Sequence, residues 1–137
     1  MSKVEVVVAG NGMVSHRFCE RLVEYDVARV HRVTVLGEEP RPAYDRVHLT
    51  DYFARGSAEA LGIGTVDWYD RSGIDLRIAT RVVAVDRARG LVKTARDECL
   101  AYDVLVLATG SSPFVPQVPG VELAGVFVYR TIEDLDG

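Results

Sequence analysis

The stretch that most constrains this chain is VEVVVAGNGMVSHRFCERLVEY, residues 4–25. Its first six residues form a near-continuous apolar run, the pattern of a strand covered on both faces, as in a parallel sheet. The run stops at Gly10-Asn11-Gly12, and a helical period begins at once. Val14, Phe18, Leu22 and Tyr25 fall at i, i+4, i+8 and i+11 as the apolar face, with Arg17, Glu20, Arg21 and Glu24 between them. After a short connection, residues 32–36 read as a second strand, rich in Val and Thr. Strand, turn, helix and strand within about 30 residues make one βαβ unit, and its crossover is almost always right-handed. The fold class is therefore α/β with a parallel sheet.

The rest of the chain elaborates that unit. Gly37-Glu38-Glu39-Pro40-Arg41-Pro42 must be loop, because neither proline has a backbone N–H. Residues 44–53 read as loop and short helix, residues 66–71 as another short helix, and residues 74–78 as a strand with alternating apolar positions. Residues 81–86 and 91–94 flank RARG as a hairpin, and residues 100–102 add a short third strand. Residues 104–108 are a second apolar run that ends in small residues, Thr109-Gly110-Ser111-Ser112. Pro113, Pro116 and Pro119 keep the following stretch extended, residues 126–128 read as one last strand, and Thr131 is placed to cap a helix over residues 131–134. A helix that opens so close to residue 137 leads us to expect a fragment.

A bare turn between a buried strand and a helix has a chemical meaning. The unpaired N–H groups and the positive end of the helix dipole point outward there, toward any bound anion. Gly10 permits the tight turn and Gly12 lets phosphate oxygens approach the backbone. The third position of this GxGxx(G/A) pattern is Ser15, small enough for close helix–strand packing. Glu38 and Glu39 follow the second strand, and Glu38 lies 23 positions past Ser15, near the roughly 20-residue spacing of an acid that accepts from ribose hydroxyls. Acids there would repel a 2′-phosphate. The bland alternative is that both glutamates are solvated loop charges.

The bulk numbers remove other classes. With 137 residues, 48% hydrophobic and 26% charged, the chain has room for one domain and a substantial core. A net charge of −4 and no basic stripe argue against nucleic acid. The longest apolar runs are far too short to span a bilayer, and the N-terminus lacks the features of a signal peptide. We expect a cytoplasmic protein with no nucleic-acid or membrane partner. Cys19 and Cys99 fit no metal or CxxC spacing and are expected to be reduced, mostly buried thiols. His16, His31 and His48 lack partners at ligand spacing, so no metal ligand is assigned.

The order GNGMVSHRF, VTVLGEEPRPAYDRVHLTDYF, LVLATGSSPFVP and VFVYRTIEDL resembles the N-terminal FAD domain of the pyridine-nucleotide-disulfide oxidoreductase superfamily over nearly the whole chain. Within it, EEPRPAYDRVHL and YRTIEDL resemble the branch of large subunits of NAD(P)H-dependent, sirohaem-containing nitrite reductases. The resemblance implies a Rossmann-like FAD-binding domain with an antiparallel β-meander inserted into the parallel-sheet unit. It implies that Gly10, Asn11, Gly12 and Met13 line the FAD pyrophosphate and that Glu38 or Glu39 binds the adenosine ribose. It further implies that Arg46 reaches the phosphates or ribose, that Val83 contacts adenine through its backbone, and that Ala108, Thr109 and Gly110 pass beside the cofactor. Tyr44, Trp68 and Tyr69 are read as packing residues rather than flavin stackers. Thr50-Asp51 stands where relatives often carry a cofactor-contacting lysine.

On this reading residues 1–137 are a partial FAD-binding domain. NAD(P)H, an iron–sulfur cluster and sirohaem belong to other parts of a full-length parent, whose downstream domains are partners of this one. We expect the fragment alone to be inactive, to have no catalytic residue of its own, and to self-associate through apolar surface left uncovered. Two other readings stay open: the FAD module of a ferredoxin or rubredoxin reductase or an NADH oxidase, and a non-catalytic module that binds an adenine nucleotide.

Overall fold

The computed structural model describes residues 2–136. The first strand, β1 (Val4–Ala9), runs into helix α1 (Met13–Tyr25), which returns the chain to β2 (His31–Leu36). A long connection carries α2 (Asp51–Arg55), a single 3₁₀ turn (Glu59–Leu61) and α3 (Val66–Ser72) before β3 (Ile74–Arg77). Next come β4 (Val82–Asp86), β5 (Leu91–Thr94) and β6 (Cys99–Ala101), then β7 (Val104–Leu107) and a short α4 (Ile132–Asp136). The parallel sheet has the order β3-β2-β1-β7, while β4-β5-β6 form a separate antiparallel sheet. This is the expected α/β architecture with its inserted meander.

The strand alternation explains the layers. Val6 and Val8 of β1 join Val33, Val35 and Ile74 on one face, packed against Cys19 of α1 and Tyr69 of α3. Val7 and Leu36 face the other way and bury Val92 of β5, flanked by Val82, Leu100 and Tyr102 of the meander. The sheet is thus covered on both sides, which is why β1 can be apolar at successive positions. Completely buried valines such as Val8 and Val35 each contribute about 1.5–3 kcal/mol to the core. A third cluster of Tyr44, Leu49, Leu61 and Ile132 ties the long connection to α4.

Three expectations are corrected, and the Thr131 cap is found in place. The buried face of α1 is not centred on Val14 and Tyr25, which are exposed. Ser15, His16 and Cys19 are buried, with Phe18, Leu22 and Val23 packed beside them; the stripe is rotated by about one residue because the helix lies close on the sheet and takes small side chains there. Residues 126–128 are not a strand; among the described residues they belong to neither sheet. Cys19 is buried, but Cys99 is exposed, on an outer strand of the meander. The last helix spans Ile132–Asp136, with Thr131 as its cap: the Thr131 hydroxyl accepts from the backbone N–H of Asp134 at 3.2 Å.

Candidate functional site

Parallel β1, β2 and β7 deliver their C-terminal ends, and so the loops that follow them, to one edge of the sheet. These loops hold ten of the site residues expected from sequence or lie beside them: residues 10–13, 38–39 and 108–110, with Arg46 adjacent through Glu39. Val83 belongs to the meander. A bulge in β4 falls between Val82 and Ala84, so Val83 is the unpaired residue of that strand, and its side chain is half exposed.

The two glycines of the first turn have different tasks. Gly10 has φ +105°, and a Cβ there would come within 2.1 Å of the Ala108 carbonyl oxygen. It is glycine because β7 crosses directly against it, locked by an Ala108 N–H that donates to the Ala9 carbonyl at 2.8 Å. Gly12 precedes α1 with no side-chain cap, no acid follows in the first turn, and a Cβ added to it would meet nothing within 4 Å. Here the chain leaves open space in front of unpaired helix N–H groups, which is what an anion requires. Ser15 is fully buried at the helix–sheet contact, and among the described residues its hydroxyl has no partner.

The adjacent glutamates part company. Glu39 is mostly buried: one carboxylate oxygen accepts from the Tyr44 hydroxyl at 2.7 Å and the other from the Arg46 guanidinium. Arg46 also lies over the Tyr44 ring, 4.9 Å from its centroid, and donates to the Arg130 carbonyl at 3.1 Å. Burial first, then the Glu39 carboxylate, push the Tyr44 phenol well above its ordinary pKa, so it remains a donor. Glu38 points outward, its side chain 69% exposed, with Arg81 3.5 Å away.

Sequence reasoning missed three residues. Arg130 donates to the Ser111 carbonyl, and its guanidinium covers Gly110, whose φ is +71°. With its carbonyl held by Arg46, it links the loops after β2 and β7. Its signal was present in YRTIEDL but carried no spacing that marks a contact over 19 residues. The others are Tyr69 and His16. The Tyr69 hydroxyl donates to Asn11 Oδ1 at 3.0 Å and stands 3.0 Å from His16 Nδ1. Both are buried. Burial lowers the His16 pKa, against an opposing pull from Glu20, and raises that of Tyr69. Burial also pushes the Cys19 thiol up to about 12, so it is an inert packing group. Among the described residues no group of three or more His, Cys, Asp or Glu side chains could hold a metal ion, and no helix is long and apolar enough to cross a membrane.

A parallel sheet whose first strand presents an open, uncapped helix N-terminus, beside an acidic loop after the second strand, defines a Rossmann-like dinucleotide-binding fold. The chain belongs to the pyridine nucleotide-disulphide oxidoreductase family, whose model matches residues 4–137. It is 48% identical over 136 residues to the nitrite reductase (NAD(P)H) large subunit of Klebsiella oxytoca, a match that covers 99% of this chain and 14% of that protein. To the nitrite reductase (NADH) large subunit of Escherichia coli (strain K12) it is 42% identical over 136 residues, covering 99% of this chain and 16% of that protein. The chain therefore spans less than a fifth of these relatives. The crystal structure of reduced Bacillus anthracis CoADR-RHD superposes with a TM-score of 0.86 over 99% of this chain and 26% of that one, at 23% identity, which establishes the shared fold.

Proposed function

We propose that this chain is the FAD-holding part of an NAD(P)H-dependent flavoprotein oxidoreductase that passes electrons through FAD toward a nitrite-reducing sirohaem centre. The observation that carries the reading is Gly12: a Cβ there has nothing to meet, directly before an uncapped helix. On this reading the backbone of residues 10–13 receives the pyrophosphate. Glu38 takes the adenosine ribose, because the carboxylate of Glu39 is already occupied by Tyr44 and Arg46. Glu39 and Arg46 hold the loop that carries Glu38. Val83, at its bulge, offers backbone to the adenine, and Ala108-Thr109-Gly110 pass beside the cofactor. When bound, the flavin supplies the redox chemistry, while the protein supplies binding, orientation and electrostatics.

The nitrite reductase relatives support the terminal acceptor. NAD(P)H, the iron–sulfur cluster and the sirohaem are assigned to other segments of a longer parent. So is a cover for the apolar side chains exposed in the segment after β7, among them Phe114 and Phe127. Without that cover the chain is expected to self-associate, seen as a sedimentation coefficient that rises with concentration. The primary test is visible absorbance after incubation with FAD and removal of the excess. A retained flavin band is expected, and it should be lost in Gly12→Val. Absence of the band in the unmodified chain would refute FAD binding by these residues.

A further inference from the structure

Beneath the turn, three polar side chains from three parts of the fold form one chain of hydrogen bonds. His16 lies one turn into α1, Tyr69 sits on α3, and Asn11 is in the turn itself. Tyr69 is completely buried and His16 is 5% exposed. The Tyr69 hydroxyl gives its single proton to Asn11 Oδ1 at 3.0 Å, so His16 Nδ1, also at 3.0 Å, must donate to Tyr69. Asn11 Nδ2 is left buried and without a partner among the described residues. A buried unpaired donor is costly, and such groups call for an explanation.

We propose that Tyr69 and His16 are positioning residues that fix the Asn11 amide so that its N–H group, and not its carbonyl, serves the cofactor bound at this turn. The proposal rests on the FAD reading above and adds a proton to it. His16 meets Glu20 of its own helix, with Nε2 and Oε1 3.6 Å apart. From α3 it meets Tyr69 and the edge of Trp68, with ring centroids 4.7 Å apart. The backbone of Gly64 closes over it, since a Cβ at that position would lie 2.7 Å from Nδ1. When His16 is an imidazolium, both nitrogens donate, one to Tyr69 and one toward Glu20, and the observed polarity of the chain is enforced. Neutral His16 keeps its one proton on Nε2, the nitrogen that faces the Glu20 carboxylate, and so accepts at Nδ1 instead. Tyr69 then donates to His16, and the Asn11 amide must turn over, which aims its carbonyl oxygen where the N–H stood. An anionic cofactor favours the first arrangement. Cofactor binding and His16 protonation are therefore coupled, and the coupling is reciprocal.

Trp68 is the only tryptophan in the chain and touches His16, so its fluorescence, quenched by an adjacent imidazolium, reports the His16 titration without any flavin activity. The experiment is a pH titration of Trp68 fluorescence with and without saturating FAD, binding being scored separately by flavin fluorescence anisotropy. FAD is expected to move the midpoint upward, and its affinity should rise about tenfold as His16 becomes protonated. Tyr69→Phe keeps the ring and removes the link, so the shift should vanish. Asn11→Ala should remove it as well, with Tyr69 left intact to guard against a folding defect. If FAD binds yet the midpoint stays put, or moves equally in both variants, the relay is wrong and the FAD reading stands. If anisotropy shows no FAD binding to the unmodified chain, the FAD reading falls and takes the relay with it.

Discussion

The chain ends two neighbouring strands in the same way and uses the ends differently. Parallel β1 and β7 are both short apolar runs that finish in small residues and glycine. After β1 the chain turns directly into α1, and the turn presents open space and unpaired N–H groups. After β7 it continues as extended, proline-containing chain, and Gly110 is covered by the Arg130 guanidinium. One end is left open and the other is closed by the protein's own cation. The lesson is that a glycine at a strand end has no single meaning. Gly10 answers to a crossing backbone, Gly12 to empty space, and Gly110 to a left-handed turn.

Substitution can break that distinction, and the largest effect belongs to Gly10. Gly10→Ala puts a Cβ 2.1 Å from a main-chain oxygen at φ +105°, where nothing flexible can yield. The expected loss is about 4 kcal/mol, from overpacking plus backbone strain, read as a collapse of the urea midpoint. Gly12→Ala meets no atom and should change stability by no more than about 1 kcal/mol. A larger loss at Gly12 would mean that the cradle is already filled by protein.

The two glutamates sharpen the same contrast at the end of β2. Glu39→Ala strands the Tyr44 hydroxyl and Arg46 in a mostly buried place and should cost about 2 kcal/mol. Glu38→Ala removes an exposed side chain and should leave thermal stability within about 0.5 kcal/mol while weakening FAD. Equal losses of stability would show that Glu38 is a second structural acid. At the β7 end, Gly110→Ala forces a Cβ into the left-handed region 2.9 Å from Arg130 Nη2. The far end of an arginine can swing away, so the cost should be about 1–2 kcal/mol, the backbone term alone. Pairing Gly110→Ala with Arg130→Ala should then add no steric penalty, which a double-mutant cycle measures.

What the sequence made legible was whatever repeats at short range. The apolar alternation, the β1–turn–α1 junction, the hairpin and the Thr131 cap all lie within a few residues, and the structure follows them. Long-range geometry was not legible. That Glu39 would be consumed by Tyr44 and Arg46, or that Arg130 would reach back 19 residues to Ser111, depends on where loops meet in space. Helix α1 shows the limit within one element. Its period was readable, but Val14 is exposed and the polar Ser15 and His16 are buried. Hydrophobicity alone ranks these residues in the wrong order, because the buried face at this turn takes the small Ser15, and His16 is met there by the Tyr69 hydroxyl.

The smallest expected effect separates the two ends by pH. The β7 end is held by Arg130, while the β1 end is backed by His16, which burial holds below its ordinary pKa. Between the folded value and about 6.5, the ordinary histidine value, the unfolded chain carries a proton that the folded chain lacks. Folding is therefore favoured above about pH 6.5, and this contribution is lost as the pH falls through that value toward the folded pKa. His48 works in the opposite sense: its pKa is raised by Asp45, so its contribution is present at low pH and fades as the pH rises through its folded value. His48 is fully exposed, which makes its term the weaker one. The melting temperature of the ligand-free chain should thus fall on acidification below about pH 6.5, and His16→Gln should flatten that fall. Saturating FAD should flatten it too, because it draws the His16 pKa back upward. A slope that survives His16→Gln unchanged would move the pH response away from the β1 end.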